Sequence, residues 1–290
     1  MEFFQLVLNG IALGAAYALV ALGFVLVLNA TGAVNFATGD MVMAGGFATI
    51  ALASFLPVPA IVLLPLVLLV MGLLGLGFSL LAYFPLMRRP PVAVFISTIA
   101  LGAIFQNTAN VLFGAAPRRA PALFGDRLYH FAGLAIGEQS LAIIAVAALL
   151  ILAQHYLFAR TQLGRALRAT AQDREIARAI GIPVVTMIAL TFVLAAALAG
   201  AAGLLLANQY FVEPTRGTGL IVSAYIAVVI GGWGSLAGAV LGALLIALFE
   251  VVVSAYASYT TATALLYAAL LAILVLRPKG LFGEAVERRA

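Results

Sequence analysis

The chain has 290 residues, of which 65% are hydrophobic and 9% are charged, and its formal net charge is +5. An ordinary soluble domain carries roughly 25% charged residues, so a mean hydropathy of +1.20 excludes that class. A transmembrane barrel would show segments of about ten residues with alternating polarity, and the sequence has none. The composition therefore predicts an all-α fold, a polytopic transmembrane helical bundle.

Long runs without a charged residue predict eight to ten membrane spans, because a spanning helix needs about 20 apolar residues. The expected spans are residues 5–28, 39–56, 61–84, 92–113, 139–158, 184–207, 219–232, 236–253 and 262–276. Pro57 and Pro59 predict a tight turn between two of these spans, and Gly181 followed by Pro183 predicts a helix end and a new start. The whole chain, residues 1–290, is expected to form one transmembrane domain.

The arginines predict the orientation, because cytoplasmic loops of membrane proteins carry an excess of Lys and Arg. Arg88 with Arg89, the cluster at 160–178 and the tail 277–290 are all expected in the cytoplasm. The basic residues of that tail are Arg277, Lys279, Arg288 and Arg289. An even number of spans separates each group from the next, so one topology satisfies all three. The loop 114–138 is then expected outside, although it carries Arg118, Arg119 and Arg127.

Two glycine-rich segments predict broken helices inside the membrane. They read GAVNFATGDMVMAGGF (32–47) and VVIGGWGSLAGAVLGALL (228–245). Irregular backbone persists at membrane depth only where it is buried in protein or lines a wet cavity. Glycine-interrupted short helices in both halves of a chain are typical of a transport pathway. Each half runs as a long helix, a polar break and a glycine-rich helix, which leaves an internal duplication open.

The stretch LGRALRATAQDREIARAIGI (163–182) gathers charge in an otherwise apolar chain. Helical periodicity predicts two short amphipathic helices with an elbow at Asp173, which would cap the second helix. The expected apolar faces are Leu163, Ala166, Leu167 and Thr170, then Ile176, Ala177 and Ile180. The expected polar faces are Arg165, Arg168 and Gln172, then Arg174, Glu175 and Arg178. From the residues alone, a loop on lipid head groups and a docking element for another protein both remain open.

This stretch closely resembles the cytoplasmic loop of bacterial ABC-importer permeases of the branched-chain amino-acid family. Those loops typically read G-R-A-L-R-A-x-A-x-D-x-x-A-A-x-x-x-G-I. The matching residues are Gly164 to Ala169, Ala171, Asp173, Ala177, Gly181 and Ile182, while Ile176 stands where the family usually has Ala. The two broken segments and the closing LRPKGLFG (276–283) also match, in order, along nearly the whole chain.

The resemblance implies that loop 159–183 carries a coupling helix that sits in a cleft of an ATPase subunit. The residues implied to make this contact are Gly164, Arg165, Leu167, Arg168, Asp173, Arg174, Glu175, Arg178 and Gly181. It further implies a second, similar permease chain, two ATPase subunits and a substrate-binding protein outside. The chain itself is expected to lie in the bacterial inner membrane, in contact with lipid. No nucleic acid is expected, because the basic residues report topology.

The resemblance implies transport of branched-chain amino acids or relatives such as other hydrophobic amino acids, amides or urea, by the shorter of the family's two permease types. The only lysine, Lys279, lies between Pro278 and Gly280, and the sequence has no G-x-x-x-x-G-K-[ST] motif. We therefore expect no catalytic residue and no cofactor in this chain, with ATP and Mg²⁺ bound by the partner ATPases.

Polar residues within the spans are candidates for the substrate path. They are Asn35, Thr38, Asp40, Gln106, Asn107, Asn110, Asn208 and Glu250. Asp40 could instead be the N-cap of a half-helix, and Glu250 a buried carboxyl paired with a hydroxyl or an arginine. An ion-coupled transporter or a membrane scaffold stays open from the residues alone. No metal site is expected, because cysteine is absent and the two histidines, His130 and His155, are isolated.

Overall fold

The computed structural model describes residues 2–125, 127–131, 134–277, 280 and 281. Across these ranges the helices are α1 Glu2–Thr31, α2 Thr38–Phe55, α3 Ala60–Phe78, α4 Pro91–Phe113, α5 Glu138–Arg160, α6 Gln162–Gln172, α7 Arg174–Ala179, α8 Val184–Leu206, α9 Arg216–Gly231, α10 Leu236–Tyr256 and α11 Tyr259–Leu276. A π-helical turn, Ser79–Tyr83, and a 3₁₀ turn, Phe84–Leu86, continue α3. Between α4 and α5, strands β1 Leu128–Phe131 and β2 Leu134–Gly137 pair as an antiparallel hairpin.

Eight helices in the described part of the chain are long and apolar enough to cross a membrane: α1, α2, α3 with its two terminal turns, α4, α5, α8, α10 and α11. The all-α class and the number of spans are confirmed. The predicted span 219–232 coincides with α9, whose 16 residues are fewer than the roughly 20 that a full crossing needs. The short hairpin was not expected, because strands of four residues carry too little periodicity to detect.

The α1 helix forms the centre of the bundle, and its apolar surface is almost wholly buried. It packs against α5, α8, α9 and α10. The α4, α5 and α11 helices have few fully buried residues. A helix that is hydrophobic all round either lies inside a protein or faces lipid, so these three helices form the lipid-facing or partner-facing rim.

The helix packing is that of an inverted internal repeat. The α1 helix packs along α10 just as α8 packs along α3, and α1 contacts α9 just as α8 contacts α2. Arg174, ten residues before α8 begins, bonds to the carbonyl of Ala30 at the end of α1, so these two helices run in opposite directions. In this repeat α1 corresponds to α8 and α2 to α9. The break at 32–37 therefore corresponds to the linker at 207–215, and not to the glycine turn at 232–235.

The elbow between α6 and α7 is confirmed at Asp173. Its carboxylate Oδ1 accepts hydrogen bonds from the backbone N–H of Glu175, at 2.8 Å, and of Ile176, at 2.9 Å. Such a cap satisfies two amide groups that have no partner within the helix. Gly181 then leaves the helix with a φ of 85°, a left-handed conformation that suits a residue without a side chain.

The two predicted helix breaks are also present, with shifted positions. The first covers residues 32–37, and α2 starts at Thr38, so the rest of the segment is regular helix. The second is the turn at 232–235, where the Ser235 side chain accepts from the Gly238 N–H at 3.0 Å and caps α10. Gly232, with a φ of 123°, allows this turn to divide the 33-residue charge-free run into two helices.

Two arginines of the loop 114–138 hold that loop against the linker between α8 and α9. The backbone of Arg118 exchanges two hydrogen bonds with Val212, at 2.9 and 2.7 Å. Arg119 donates from Nε to the carbonyl of Asn208 at 2.9 Å. These contacts give basic residues a structural role on a face where the orientation rule does not expect them. Of the predicted basic tail, Lys279, Arg288 and Arg289 lie outside the described residues.

Candidate functional site

The α6 helix presents most of the faces that the periodicity predicts, except that Leu163, expected on the apolar face, is 37% exposed. Leu167 and Thr170 are buried against the bundle, and Gly164 lies so close to the carbonyl of Leu157 that no side chain would fit there. Arg165 and Arg168 are exposed. The Arg168 guanidinium bonds to the carbonyl of Phe158, so this residue also fixes α6 to the end of its own span.

The faces predicted for α7 are only partly confirmed, with Glu175 and Arg178 exposed as expected. Ala177 is buried, but Ile176 and Ile180 are 62% and 68% exposed. Arg174, expected on the outer face, turns inward, where Nη2 donates to the carbonyl of Ala30 at 2.6 Å and Nη1 to Tyr83 Oη at 3.1 Å. A helix of six residues has little side-chain area to bury, so its rotation follows these polar contacts rather than its apolar residues.

The outward-facing side chains of α6 and α7 form a mixed surface, which we call the elbow surface. It consists of Arg165, Glu175, Ile176, Arg178 and Ile180, all exposed. Both signs of charge surround two isoleucines. An anionic bilayer surface would attract only the arginines, whereas a protein groove can use the acidic and apolar groups as well.

A cavity of about 540 Å³ lies behind the elbow, between α6, the end of α1 and the turn that joins α9 to α10. Leu26, Asn29, Arg168, Trp233 and Ser235 are among its lining residues. The Asn29 side chain crosses it at one side and donates to the carbonyl of Gly234 at 2.8 Å. Space of this size next to α6 leaves room for the elbow to shift against the bundle.

Four of the predicted path residues meet where α2 begins. The Asn35 side chain accepts from the Ala37 N–H at 3.1 Å, and Thr38 Oγ1 donates to the Asn35 carbonyl at 2.9 Å. Gln106, on α4, donates from Nε2 to Asp40 Oδ1 at 2.8 Å. We call this group the α2 polar cluster. Its hydrogen bonds join the backbone break to the start of α2, and α2 to α4.

Asp40 is not an N-cap, because α2 begins at Thr38 and the cap position is Ala37. It lies in the first turn, where the positive end of the helix dipole favours a carboxylate. Its side chain also contacts Gly102 of α4 and Gly217 of α9 closely. Asp40 therefore sits where three helices meet, and α9 begins against it.

The remaining asparagines lie elsewhere. Asn107 and Asn110 are exposed on the outer side of α4, whereas Gln106 turns toward α2. The predicted patch of these three residues is therefore wrong, because neighbouring residues in a helix point about 100° apart. Asn208 is buried, but its Nδ2 donates to the carbonyl of Ala120 at 2.9 Å. It secures the loop 114–125 rather than lining open space.

Glu250 lines a second cavity, of about 500 Å³, between α1, α2, α8, α9 and α10. Tyr17 Oη lies 3.4 and 3.3 Å from its two carboxylate oxygens, which confirms the expected pairing with a hydroxyl. Arg216, Glu213 and Ser254 line the same cavity. Sequence reasoning missed Tyr17, Arg216 and Ser254 as site residues, because no local pattern connects α1 with α9 and α10.

Comparison with known proteins agrees with this architecture. The family described as "Branched-chain amino acid transport system / permease component" matches residues 6–276. The high-affinity branched-chain amino acid transport system permease protein LivH of Escherichia coli (strain K12) is 31% identical, over 98% of this chain and 96% of its own. LivH of Salmonella typhimurium is also 31% identical over the same shares, and BraD of Pseudomonas aeruginosa is 30% identical over 98% and 96%. No solved structure gives a significant match.

A match across nearly the whole chain shows the family, and eight apolar helices of spanning length agree with a membrane subunit. The chain therefore belongs to the branched-chain amino acid transport system permease family, and it is a multi-pass permease subunit of an ABC importer in the bacterial inner membrane.

Proposed function

We propose that this subunit translocates branched-chain amino acids, or closely related ones, with energy from ATPase subunits that dock on the elbow surface. The relatives over nearly the full chain are named for branched-chain amino acid transport. A second permease chain completes the membrane part, and a binding protein delivers the amino acid outside. ATP and Mg²⁺ are bound by the ATPase subunits.

The exposed isoleucines of α7 are the observation that carries the docking proposal. Ile176 and Ile180 protrude from a helix whose buried side is already filled by Ala177 and by the two hydrogen bonds of Arg174. Buried apolar anchors surrounded by polar contacts supply most of the energy in protein interfaces. The elbow surface has this composition, with Arg165, Glu175 and Arg178 around the two isoleucines.

The Arg174 contacts give the docked ATPase a connection to the transport path. A force on α7 acts through its guanidinium on the end of α1 and on Tyr83, in the π-helical turn after α3. The Tyr83 ring packs against Phe192 of α8, with ring centroids 5.5 Å apart. The three helices that Arg174 and Tyr83 reach also form the centre of the inverted repeat.

The test is co-purification of ATPase with the tagged full chain in mild detergent, quantified by mass spectrometry. In the double variant Ile176→Asp, Ile180→Asp, we expect co-purified ATPase to fall at least roughly tenfold, because two interface anchors are lost. The matched control is Ile176→Leu, Ile180→Leu, which keeps apolar side chains and should keep the ATPase. Undiminished association in the aspartate variant, or no ATPase with the wild type, would contradict the proposal.

A further inference from the structure

The cavity beside Glu250 opens at the end of the bundle opposite the elbow. Its mouth is formed by the linker between α8 and α9, including Tyr210, Phe211 and Glu213, and by Tyr259 at the start of α11. Tyr17 and Glu250 lie deeper, on α1 and α10. With the elbow in the cytoplasm, the cavity faces the side from which an imported substrate arrives.

The polar groups at the base of this cavity have fewer hydrogen-bond partners than they can use. Glu250 is buried, and a carboxylate can accept about four hydrogen bonds, but among the described residues only the Tyr17 hydroxyl contacts it, at 3.3 Å or more. Ser254, one helical turn further along α10, has a buried Oγ without a hydrogen-bond partner in the described ranges. Buried carboxylates in membrane proteins are costly unless paired, so Glu250 suits a donor-rich cationic group.

The cavity wall also carries a cationic side chain, that of Arg216. Arg216 occupies the first turn of α9 and lines the same cavity as Glu250. Its contact with Glu213, at 3.9 Å, is too long for a hydrogen bond, and the Arg216 side chain is 46% exposed. A guanidinium can bind a carboxylate through two parallel hydrogen bonds.

Aliphatic side chains make up much of the remaining lining, which also includes Glu213 and Thr215. Leu13, Val42, Leu206, Leu220 and Val251 contribute aliphatic side chains from five different helices. A volume of about 500 Å³ falls within the range of roughly 300 to 1,000 Å³ that small-molecule sites occupy. The cavity therefore combines an anion, a cation and an aliphatic wall.

We infer that this cavity is a binding site for the zwitterion of an aliphatic α-amino acid inside a single permease chain. The ammonium group lies against Glu250 and Tyr17, the carboxylate against Arg216, and the side chain against the aliphatic wall. The inference rests on the proposed transport of amino acids and narrows its substrate class, because urea and short amides carry neither charge. The permease itself then selects substrate, in addition to any binding protein outside.

The experiment measures binding of radiolabelled leucine to the purified permease assembly in lipid nanodiscs, without binding protein, by scintillation proximity. Leucinamide, which lacks the carboxylate, and 4-methylpentanoate, which lacks the ammonium group, serve as competitors. We expect each competitor to need at least roughly tenfold higher concentration than leucine, because each loses one charge-assisted contact.

Two conservative variants separate a ligand contact from a structural role. In Glu250→Gln, leucine should bind about tenfold more weakly, and its advantage over 4-methylpentanoate should largely disappear, since the partner of the ammonium group is gone. In Arg216→Gln, the advantage over leucinamide should disappear instead. Thr108→Ala, on the exposed side of α4, is the control and should bind like the wild type.

Absence of saturable leucine binding up to about 10 mM would overturn the site, because a dissociation constant above that value is too weak for a specific binding site. Weaker binding of all three compounds in equal proportion would also overturn it, because that pattern indicates a structural role. The assay requires no ATPase, so its outcome is independent of the docking test. ATP-driven uptake at wild-type rates in both variants would leave the proposed function standing and reject this cavity.

Discussion

At the scale of single residues, two glycines decide how closely the half-helices α2 and α9 meet. A Cβ atom on Gly39 would overlap the carbonyl oxygen of Gly217. A Cβ atom on Gly217 would lie 2.6 Å from Asp40 Oδ1 and 2.9 Å from the backbone of Asp40. Because backbone atoms cannot swing away as a flexible side chain can, the two first turns touch only if both residues lack a side chain.

The close contact predicts a difference between two glycines in the same helix. Gly217→Ala should lower the free energy of unfolding by about 1–3 kcal/mol, because α2 and α9 must separate to admit the methyl group. Gly219→Ala should be neutral or stabilising by up to about 1 kcal/mol, since nothing lies within 4 Å of its Cβ position and alanine favours the helix. Reversible unfolding in mixed SDS micelles, followed by circular dichroism, compares them; equal effects would contradict the contact.

At the scale of secondary-structure elements, the short α7 helix connects the elbow surface to the bundle. Asp173 caps it and Gly181 ends it, so its length is set by two residues that helical periodicity locates. Its rotation is set by Arg174, which reaches α1 and the π-helical turn. A π-helical turn interrupts the regular hydrogen-bond ladder of a helix and is frequent at functional sites.

The Arg174 contacts predict a variant that assembles but transports poorly. Arg174→Gln should keep the ATPase bound, because it removes none of the five side chains of the elbow surface. Leucine uptake by the reconstituted importer should fall roughly tenfold, because the contacts with α1 and Tyr83 are lost. Loss of the two hydrogen bonds should cost about 1–3 kcal/mol of stability. Uptake and co-purification are measured on the same preparation.

Arg160→Gln is the matched control for Arg174→Gln. Arg160 ends α5 near the elbow and is exposed, so its neutralisation removes one charge without breaking a contact that holds α7. Uptake by this variant should equal that of the wild type. Normal uptake by Arg174→Gln as well would show that force does not pass through Arg174.

At the scale of the whole molecule, the two ends of the inverted repeat carry different structural elements. One end carries α6, α7 and the end of α1, and the other carries the β-hairpin and the linker at 207–215. The cavity beside Glu250 opens at the second end, and the cavity behind the elbow lies at the first. Alternating access in transporters with inverted repeats proceeds by moving one half against the other around a central site.

The arrangement of the two ends predicts the orientation of the chain in the membrane. The chain has no cysteine, so single cysteines are clean reporters. Arg160→Cys, near the elbow, should react with a membrane-impermeant maleimide only after the cells are opened. Phe55→Cys and Phe124→Cys, both exposed at the opposite end, should react in intact cells. Labelling of Arg160→Cys in intact cells would reverse the orientation.

The sequence by itself determined the features that depend on residues near one another in the chain. Runs of apolar residues marked the eight long helices, and the helical repeat together with a capping residue placed the elbow at Asp173. The order of motifs along the chain indicated the family that residues 6–276 match. The apolar runs, the helical repeat and each family motif extend over only a few helical turns. Over that length, the separation of two residues in the sequence fixes their separation in the structure.

Only the tertiary structure decided which distant residues meet and which way a short helix faces. Tyr17 and Glu250 are separated by 233 positions, and Asp40 and Gln106 by 66, so no local pattern could pair them. The outward Ile176 and the inward Arg174 reversed the expectation from amphipathicity, because two hydrogen bonds from one guanidinium outweighed the burial of an isoleucine on a six-residue helix. Hydrogen bonds between helices join residues far apart in the sequence and depend on direction. Hydropathy, in contrast, is a property of a local stretch and does not specify which residue will be a partner.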